Sequence, residues 1–298
     1  MTSFRGTSPE SPSLAGLRKN SSRPRDVFNI IMTGLSVLCV VITLIPLVLV
    51  LAFVTIQGAG SITPALFTEL PPPPGLEGGG IANAIIGTLI VVAIATLISV
   101  PFGVMAAVYL SEFSKDGQVA RWVRFFTNVL SGVPSIISGV FVYALLVRTG
   151  LTGYSAVAGG VALAVLMLPT IIRTTDEALN IIPQEIRWAS IGVGASRYQT
   201  VLQIVLPAAI PSILTGVTLA IARAAGETAP LIFTALFSSF WPNGILQPIA
   251  TLSVLVYNFA IVPFEPQQEL AWAGSLILVL LVLLTSIIAR VVTRQKTY

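Results

Sequence analysis

Long uncharged stretches alternate with short charged segments along this chain. The uncharged tracts cover residues 27–68, 78–111, 125–147, 149–172, 198–222, 228–264 and 270–289. A membrane-spanning helix needs about 20 mostly apolar residues, whereas the strands of an outer-membrane barrel alternate polar and apolar residues, which these tracts do not do. The pattern predicts six transmembrane helices, at approximately 28–57, 82–110, 125–147, 155–173, 208–239 and 269–290.

The composition supports the same fold class. Only 9% of the 298 residues are charged, 55% are hydrophobic and the mean hydropathy is +0.92, whereas a soluble domain carries about 25% charged residues. These values exclude soluble globular, collagen-like and disulfide-rich classes. The chain has one cysteine, Cys39, and no histidine, which excludes Ser-His triads and histidine metal sites. We expect an all-α integral membrane protein.

The first apolar tract follows a basic N-terminal stretch, as a signal peptide does. A signal peptide, however, has an apolar region of only about 7–15 residues, and this tract is much longer. We therefore expect an uncleaved anchor, preceded by a disordered cytoplasmic tail at residues 1–26 that is rich in Ser, Pro and Arg. A transmembrane domain is predicted over 27–290 and a second cytoplasmic tail over 291–298.

The basic residues predict the orientation. With six spans and the N-terminus inside, fourteen of the 16 Lys and Arg residues fall on the cytoplasmic side, only Arg148 falls outside and Arg223 lies within a span. The fourteen are Arg5, Arg18, Lys19, Arg23, Arg25, Lys115, Arg121, Arg124, Arg173, Arg187, Arg197, Arg290, Arg294 and Lys296. The positive-inside rule therefore places both termini in the cytoplasm.

Two features complicate the six-helix prediction. Residues 245–262 are apolar enough for a seventh span, but prolines and an asparagine interrupt them, so we interpret them as a short re-entrant or interfacial segment on the outer side. Prolines inside or beside the spans can also bend the helices that contain them. These prolines are Pro46, Pro101, Pro134, Pro169, Pro211 and Pro230.

The longest predicted cytoplasmic connection covers residues 174–207. Pro183 can occupy the first position of a short helix, and Gly192 or Gly194 can end it. Ser196 and Gln199 have the spacing of a capping box, which opens a second helix. The sequence predicts a helix–turn–helix outside the membrane. It can serve as a docking site for a cytoplasmic partner, or simply as a surface loop that joins two spans.

This connection resembles the coupling motif of ABC-importer permeases, E-A-A-x3-G-x9-I-x-L-P. Gly194 is followed by nine residues, and then by Ile204, one residue, Leu206 and Pro207. The triplet is Trp188-Ala189-Ser190, so a tryptophan stands at the acidic position and Glu185 lies three residues earlier. The resemblance implies a MetI-like permease fold. The residues it assigns to ATPase coupling are Glu185, Arg187, Ala189, Gly194, Ala195, Ser196, Ile204, Leu206 and Pro207.

The fifth predicted helix resembles a narrower family. The string from Ala222 to Leu231, ARAAGETAPL, is similar to that of phosphate-import permeases of the PstA type, as are the GVPSI stretch at 132–136 and the region 255–258. This resemblance implies a subunit in the inner (plasma) membrane of a bacterium. The implied partners are a PstC-type second permease subunit, a PstB-type ATPase dimer, a PstS-type phosphate-binding protein, phosphate and the lipid bilayer; no nucleic acid is expected.

The chain has no means of its own to use ATP. A Walker A loop requires a lysine after a glycine, and the three lysines, Lys19, Lys115 and Lys296, do not follow one. We therefore expect no bound cofactor and no enzymatic activity. Energy must come from a separate ATPase subunit or from an ion gradient.

Arg223, Glu227 and Thr228 form the predicted substrate pathway. Arg223 and Glu227 are four residues apart, so in a helix they share one face, and Arg223 lies about 24 Å along the helix from Pro207. An arginine at mid-membrane costs about 2.5–3.5 kcal/mol, which implies a protein interior or an aqueous cavity. Two interpretations stay open: a structural ion pair, or an arginine that faces the anion path and is held in place by Glu227.

Three other functions are consistent with parts of this pattern. The chain could be a permease subunit for another oxyanion, such as molybdate or sulfate. It could be an ion-coupled secondary transporter, although the sequence has no clear internal repeat of the kind such transporters often contain. It could also be a membrane assembly protein without transport activity, but that function leaves the cost of burying Arg223 and Glu227 unexplained.

Overall fold

The computed structural model describes residues 24–114 and 117–294, without the side chains beyond Val291. All regular structure in these residues is helical. Contacts divide the chain into two units, residues 1–53 and 54–298. The predicted disordered tail therefore lies outside the described residues except for Pro24–Asp26, and residues 295–298, half of the predicted C-terminal tail, lie outside them as well.

The described part of the first unit is a single helical stretch. Helix α1 spans Pro24–Ala59, and its residues through Phe53 belong to this unit. Its 36 residues make it long enough to cross a membrane, since the hydrocarbon core needs about 20. Pro46 lies within α1 without ending it. The helix agrees with the predicted span 28–57.

The second unit is built around three long helices. Helix α2, Pro64–Thr68, is short, and α3, Ala82–Val108, continues through a wide π-helical turn, Tyr109–Phe113. Helix α6, Ala156–Ile181, packs against both α3 and α9, Leu206–Gly226. Apolar side chains fill the core around them, including Val91, Leu163, Met167, Ile171, Val205, Ala220 and Leu231.

The third predicted span, 125–147, is wrong as a single helix. Helix α4, Gln118–Ser131, ends before Gly132, and α5, Ser135–Val142, begins after Pro134 and continues through a π-helical turn, Tyr143–Val147. The two directions differ by 107°. Pro134 has no backbone N–H to donate and disfavours a helical conformation at Val133, which favours the break at this position.

The fourth and fifth predicted spans have wrong boundaries. Helix α6 continues past 173 to Ile181. Helix α7, Gln184–Gly192, and α8, Arg197–Thr200, follow, and α8 joins α9 through a π-helical turn, Val201–Val205. The helix Arg197–Gly226 is thus 30 residues long. It ends at Gly226 rather than at 239, and a short helix α10, Ala229–Thr234, follows.

The last part of the chain agrees with the sequence prediction. Helix α11, Leu252–Ala260, has nine residues, too few to cross a bilayer, as predicted for 245–262. Helix α12, Glu265–Arg294, is the last long helix. In the described residues five helices are long and apolar enough to cross a membrane, or six if α4 and α5 form one bent span. The prediction of an all-helical membrane protein is confirmed.

Candidate functional site

The segment between α6 and α9 folds as the local sequence predicts. Helix α7 begins just after Pro183, which is its N-cap rather than its first residue. Gly194 has φ +94°, a left-handed conformation that a residue with a Cβ rarely adopts. The Ser196 hydroxyl accepts from the Gln199 N–H, and the Gln199 side chain accepts from the Ser196 N–H. The predicted capping box is therefore present.

Arg187 fastens α7 to the end of α3. Its Nη2 and Nε donate to the two carboxylate oxygens of Glu112, at 2.6 and 3.0 Å, and both side chains are less than a tenth exposed. The same guanidinium donates to the carbonyls of Leu179 (2.9 Å) and Ile182 (2.6 Å) at the end of α6. Because one side chain joins three helices, this buried pair fixes the position of α7. We call it the Glu112–Arg187 clamp.

A second arginine strengthens the same junction. Arg197, the first residue of α8, donates to the backbone carbonyl of Glu112. Its guanidinium lies 5.6 Å from the centre of the Phe113 ring, within the range of a cation–π contact, and Phe113 lies 5.0 Å from the Tyr198 ring. A cavity of about 400 Å³ adjoins the clamp, lined by Ser111, Glu112, Gln184, Arg187, Trp188, Ile191, Arg197, Thr200 and Val201.

The outer surface of this segment is apolar. Trp188 is 66% exposed and Val193, in the turn between α7 and α8, is 86% exposed. Ile186, Ile191 and Tyr198 are exposed beside them. Exposed groups of large apolar side chains commonly mark interaction sites. We refer to Ile186, Trp188, Ile191, Val193 and Tyr198 as the docking surface.

The structure separates the predicted coupling residues into groups. Arg187 is buried in the clamp, so its guanidinium is directed inward, whereas Glu185, Ala189, Gly194 and Ser196 are exposed near the docking surface. Ala195 is half-buried. The remaining three residues, Ile204, Leu206 and Pro207, lie further along the helix that begins at Arg197.

Sequence reasoning did not identify Glu112. It ends the uncharged tract 78–111, which marks it as a boundary residue. It is 75 positions from Arg187, so the sequence alone does not pair them. The clamp therefore holds α7 through a buried carboxylate from a different helix, whereas Trp188, at the acidic position of the motif, is exposed.

The predicted pathway residues lie where α9 ends. Glu227 is the residue after the helix, so the prediction that it lies inside a helix is wrong; Thr228 precedes α10. Arg223 nevertheless forms an ion pair with Glu227, with 3.5 Å between Nε and Oε1. The Arg223 side chain is 62% exposed and that of Glu227 17%. The backbone carbonyl of Glu227 accepts from the Ser253 hydroxyl at 2.8 Å, which connects the break to α11.

This break in the helix adjoins two other helices. Met167 and Thr170 of α6 line a narrow crevice together with Arg223 and Glu227. On the other side, a Cβ added to Gly139 of α5 would lie 2.5 Å from the Cα of Pro230. Only glycine allows the two backbones to approach this closely. The interrupted helix after Arg223 is therefore packed against its neighbours rather than loosely held.

The described residues thus form a multi-pass helical membrane protein, with a charged pair at a break between two helices and an exposed apolar surface on α7 and α8. The family description "Binding-protein-dependent transport system inner membrane component" matches residues 99–298. The chain belongs to this family, within its PstA-type permeases. It is an inner-membrane transport subunit, and its family implies an ATPase and a substrate-binding protein as partners.

Individual relatives support this assignment. The chain is 43% identical to the phosphate transport system permease protein PstA of Yersinia pestis over 242 residues, covering 81% of this chain and 82% of that protein. It is 41% identical to the PstA protein of Pasteurella multocida (strain Pm70), covering 92% and 97%.

Solved structures support the MetI-like permease fold. One is an inward-facing MetNI methionine ABC transporter, with a TM-score of 0.57 and 22% identity over 74% of this chain and 95% of that chain. Another is a bacterial alginate ABC transporter in complex with a pentasaccharide-bound periplasmic protein, with a TM-score of 0.62 and 16% identity over 91% and 95%.

Proposed function

We propose that this chain is the membrane-spanning permease subunit of an ATP-driven importer of inorganic phosphate. The observation that carries the proposal is its similarity over most of its length to permeases named for phosphate transport. The proposed partners are a PstC-type second permease subunit, a PstB-type ATPase dimer and a PstS-type phosphate-binding protein.

Uptake measurements test the substrate. A strain that lacks its own phosphate permease is complemented with this chain and its partner subunits, and the uptake of labelled phosphate, sulfate and molybdate is compared. We expect saturable phosphate uptake that depends on ATP. Restoration of sulfate or molybdate uptake without phosphate uptake would assign the permease to another oxyanion, and uptake without any ATPase subunit would indicate a secondary transporter.

The proposed organisation follows the sequence prediction, with corrected helix boundaries. The transmembrane domain covers 27–290, residues 174–207 contain the coupling elements, and both termini face the cytoplasm. Its test is cysteine labelling from outside in a Cys39→Ser background, at Asn243, which is exposed, and at Gln295. We expect external labelling at Asn243→Cys alone. External labelling at Gln295→Cys would refute the proposed topology.

The docking surface is the proposed contact with the ATPase subunit. It is apolar and exposed, most of it lies on a helix held by the clamp, and it adjoins Gly194 of the coupling motif. A Val193→Cys variant should crosslink to the ATPase subunit in the assembled transporter. Leu151→Cys is a matched control, because Leu151 is similarly exposed but lies in the connection after α5. Equal crosslinking of both variants would contradict the assignment.

Arg223 is proposed to face the anion path, with Glu227 holding its guanidinium in place and Thr228 beside them. Arg223 lies in the last turn of α9, at a depth where water or another protein must solvate its exposed side chain. A guanidinium donates two parallel hydrogen bonds to phosphate, which an ammonium group cannot reproduce. The exposed Arg223 side chain is therefore suited to line an anion path shared with the second permease subunit.

Conservative variants distinguish this role from a structural one. Arg223→Lys keeps the charge but loses the planar guanidinium that donates two parallel hydrogen bonds. This variant should therefore assemble with its partners and transport poorly. Arg223→Gln with Glu227→Gln removes both charges and should also assemble without transport. Arg173→Lys is the matched control, because Arg173 forms an exposed pair with Glu177 at the same i,i+4 spacing. Near-normal uptake by the double variant would show that the pair only supports packing.

A further inference from the structure

Helix α4 carries an apolar surface that the described part of the chain leaves exposed. Trp122, Phe125 and Phe126 are each more than half exposed, and their ring centres lie 5.6–5.9 Å apart. Further exposed apolar side chains extend this surface along the helix. We refer to Val119, Trp122, Phe125, Phe126, Val129 and Leu130 as the aromatic face.

The other sides of α4 differ in character. Ala120 and Thr127 are buried on the side of the helix opposite Trp122. Arg121 and Asn128 are exposed and project roughly 80–100° from the buried line, since successive residues advance by about 100°. Helix α4 thus has a buried line, a polar line and a broad apolar face, the arrangement of an amphipathic helix.

The contacts of Arg124 show at which level of the spans α4 lies. Its Nη2 donates to the carbonyl of Leu110 at 3.2 Å, and its Nε lies 3.5 Å from the Asp176 carboxylate. Leu110 is close to the end of the uncharged tract of α3. Asp176 lies just beyond Arg173, where the uncharged tract of α6 ends. Both partners therefore mark the level at which apolar spans become charged, which is the boundary between hydrocarbon and headgroups.

The direction of α4 agrees with this level. It differs by 107° from α5, so α4 does not continue the course of the helix that follows it. An amphipathic helix with Trp and Phe on its apolar face and Arg on its polar side is typical of helices that lie in the membrane interface. Aromatic side chains are also enriched at this depth of the bilayer.

We propose that α4 is an interfacial helix whose aromatic face is immersed in the lipid at the hydrocarbon–headgroup boundary, with Arg121 and Asn128 directed toward headgroups and water. The partner of this surface is lipid rather than a second protein subunit. The Gly132–Pro134 break permits this placement, because it lets the chain turn from the membrane surface into the membrane.

Tryptophan fluorescence tests the proposal in the assembled transporter. Trp122 is kept, and Trp188, Trp241 and Trp272 are replaced by phenylalanine. The complex is reconstituted in nanodiscs containing phospholipids brominated either near the headgroup or near the chain end. We expect strong quenching of Trp122, greatest for bromines nearer the headgroup, and little quenching by aqueous acrylamide.

A matched control uses the exposed Trp188 of the docking surface as the single tryptophan, and brominated lipids should leave it unquenched. Absence of lipid quenching at Trp122 would overturn the proposal, whether acrylamide quenches it, indicating water, or fails to, indicating a protein partner. If the triple replacement does not assemble, a spin label at Val129→Cys in a Cys39→Ser background gives the same answer. Oxygen should then collide with the label more often than a water-soluble nickel reagent, and the reverse order would overturn the proposal.

Discussion

Removing the charge of Glu112 tests the clamp most directly. Glu112→Gln keeps the shape of the side chain but leaves the Arg187 guanidinium buried without its carboxylate. Breaking a buried ion pair by removing one partner costs about 3–5 kcal/mol. Since the clamp joins α7 to α3 and α6, we expect the substitution to lower the free energy of local opening of α7.

Hydrogen exchange measures that loss. A decrease of about 3 kcal/mol in the opening free energy speeds exchange by about a hundredfold, because 1.4 kcal/mol corresponds to a factor of ten. Mass spectrometry of the assembled complex should show this acceleration in peptides covering Gln184–Gly192. Peptides from α12 should be unchanged, because α12 contains neither member of the clamp.

An exposed pair provides the control. Glu177→Gln removes the same group from the Arg173–Glu177 pair, whose side chains are 68% and 64% exposed. Exposed pairs contribute about 0–1 kcal/mol, so exchange in α7 should change little. If Glu112→Gln exchanges no faster than Glu177→Gln, the clamp does not hold α7.

Four further changes test the backbone geometry and the cap of α8, each by the thermal unfolding midpoint of the purified complex. Gly139→Ala should lower the midpoint and cost about 1–3 kcal/mol of stability, because the added Cβ would collide with the Pro230 backbone. Gly194→Ala should lower the stability by about 1–3 kcal/mol, because Gly194 has a left-handed φ. Gly192 is helical, and a Cβ there would meet open space. Gly192→Ala should therefore stabilise α7 by up to about 1 kcal/mol. Ser196→Ala removes the cap of α8 and should lower the stability by about 0.5–2 kcal/mol. An unchanged midpoint for Gly139→Ala, Gly194→Ala or Ser196→Ala would contradict the structural feature that the variant tests.

Local features of the fold could be predicted from the sequence because local chemistry determines them. The left-handed turn at Gly194 and the Ser196–Gln199 box each depend on residues within a few positions, and both are present. The length of the apolar tracts likewise predicted the long helices, because crossing a bilayer sets a minimum length.

Breaks and long-range pairs could not be predicted in the same way. Pro101 and Pro169 lie inside continuous helices, whereas Pro134 lies at a break and Pro230 just after one. Neighbouring helices determine whether a freed backbone group is satisfied, and a single sequence does not reveal those neighbours. The Glu112–Arg187 clamp has the same cause, since only packing brings these residues together.

A single helix from Arg197 to Gly226 connects the clamp to the charged pair. One end touches the clamp through Arg197 and the other carries Arg223, about 39 Å away at 1.5 Å per residue. A tilt of about 5° at the clamped end would displace the guanidinium by roughly 3 Å, about the length of a hydrogen bond. The wide turn Val201–Val205 and Pro211 both lie along this helix and can absorb such a tilt, so the stiffness of these two positions determines how much of it reaches the charged pair.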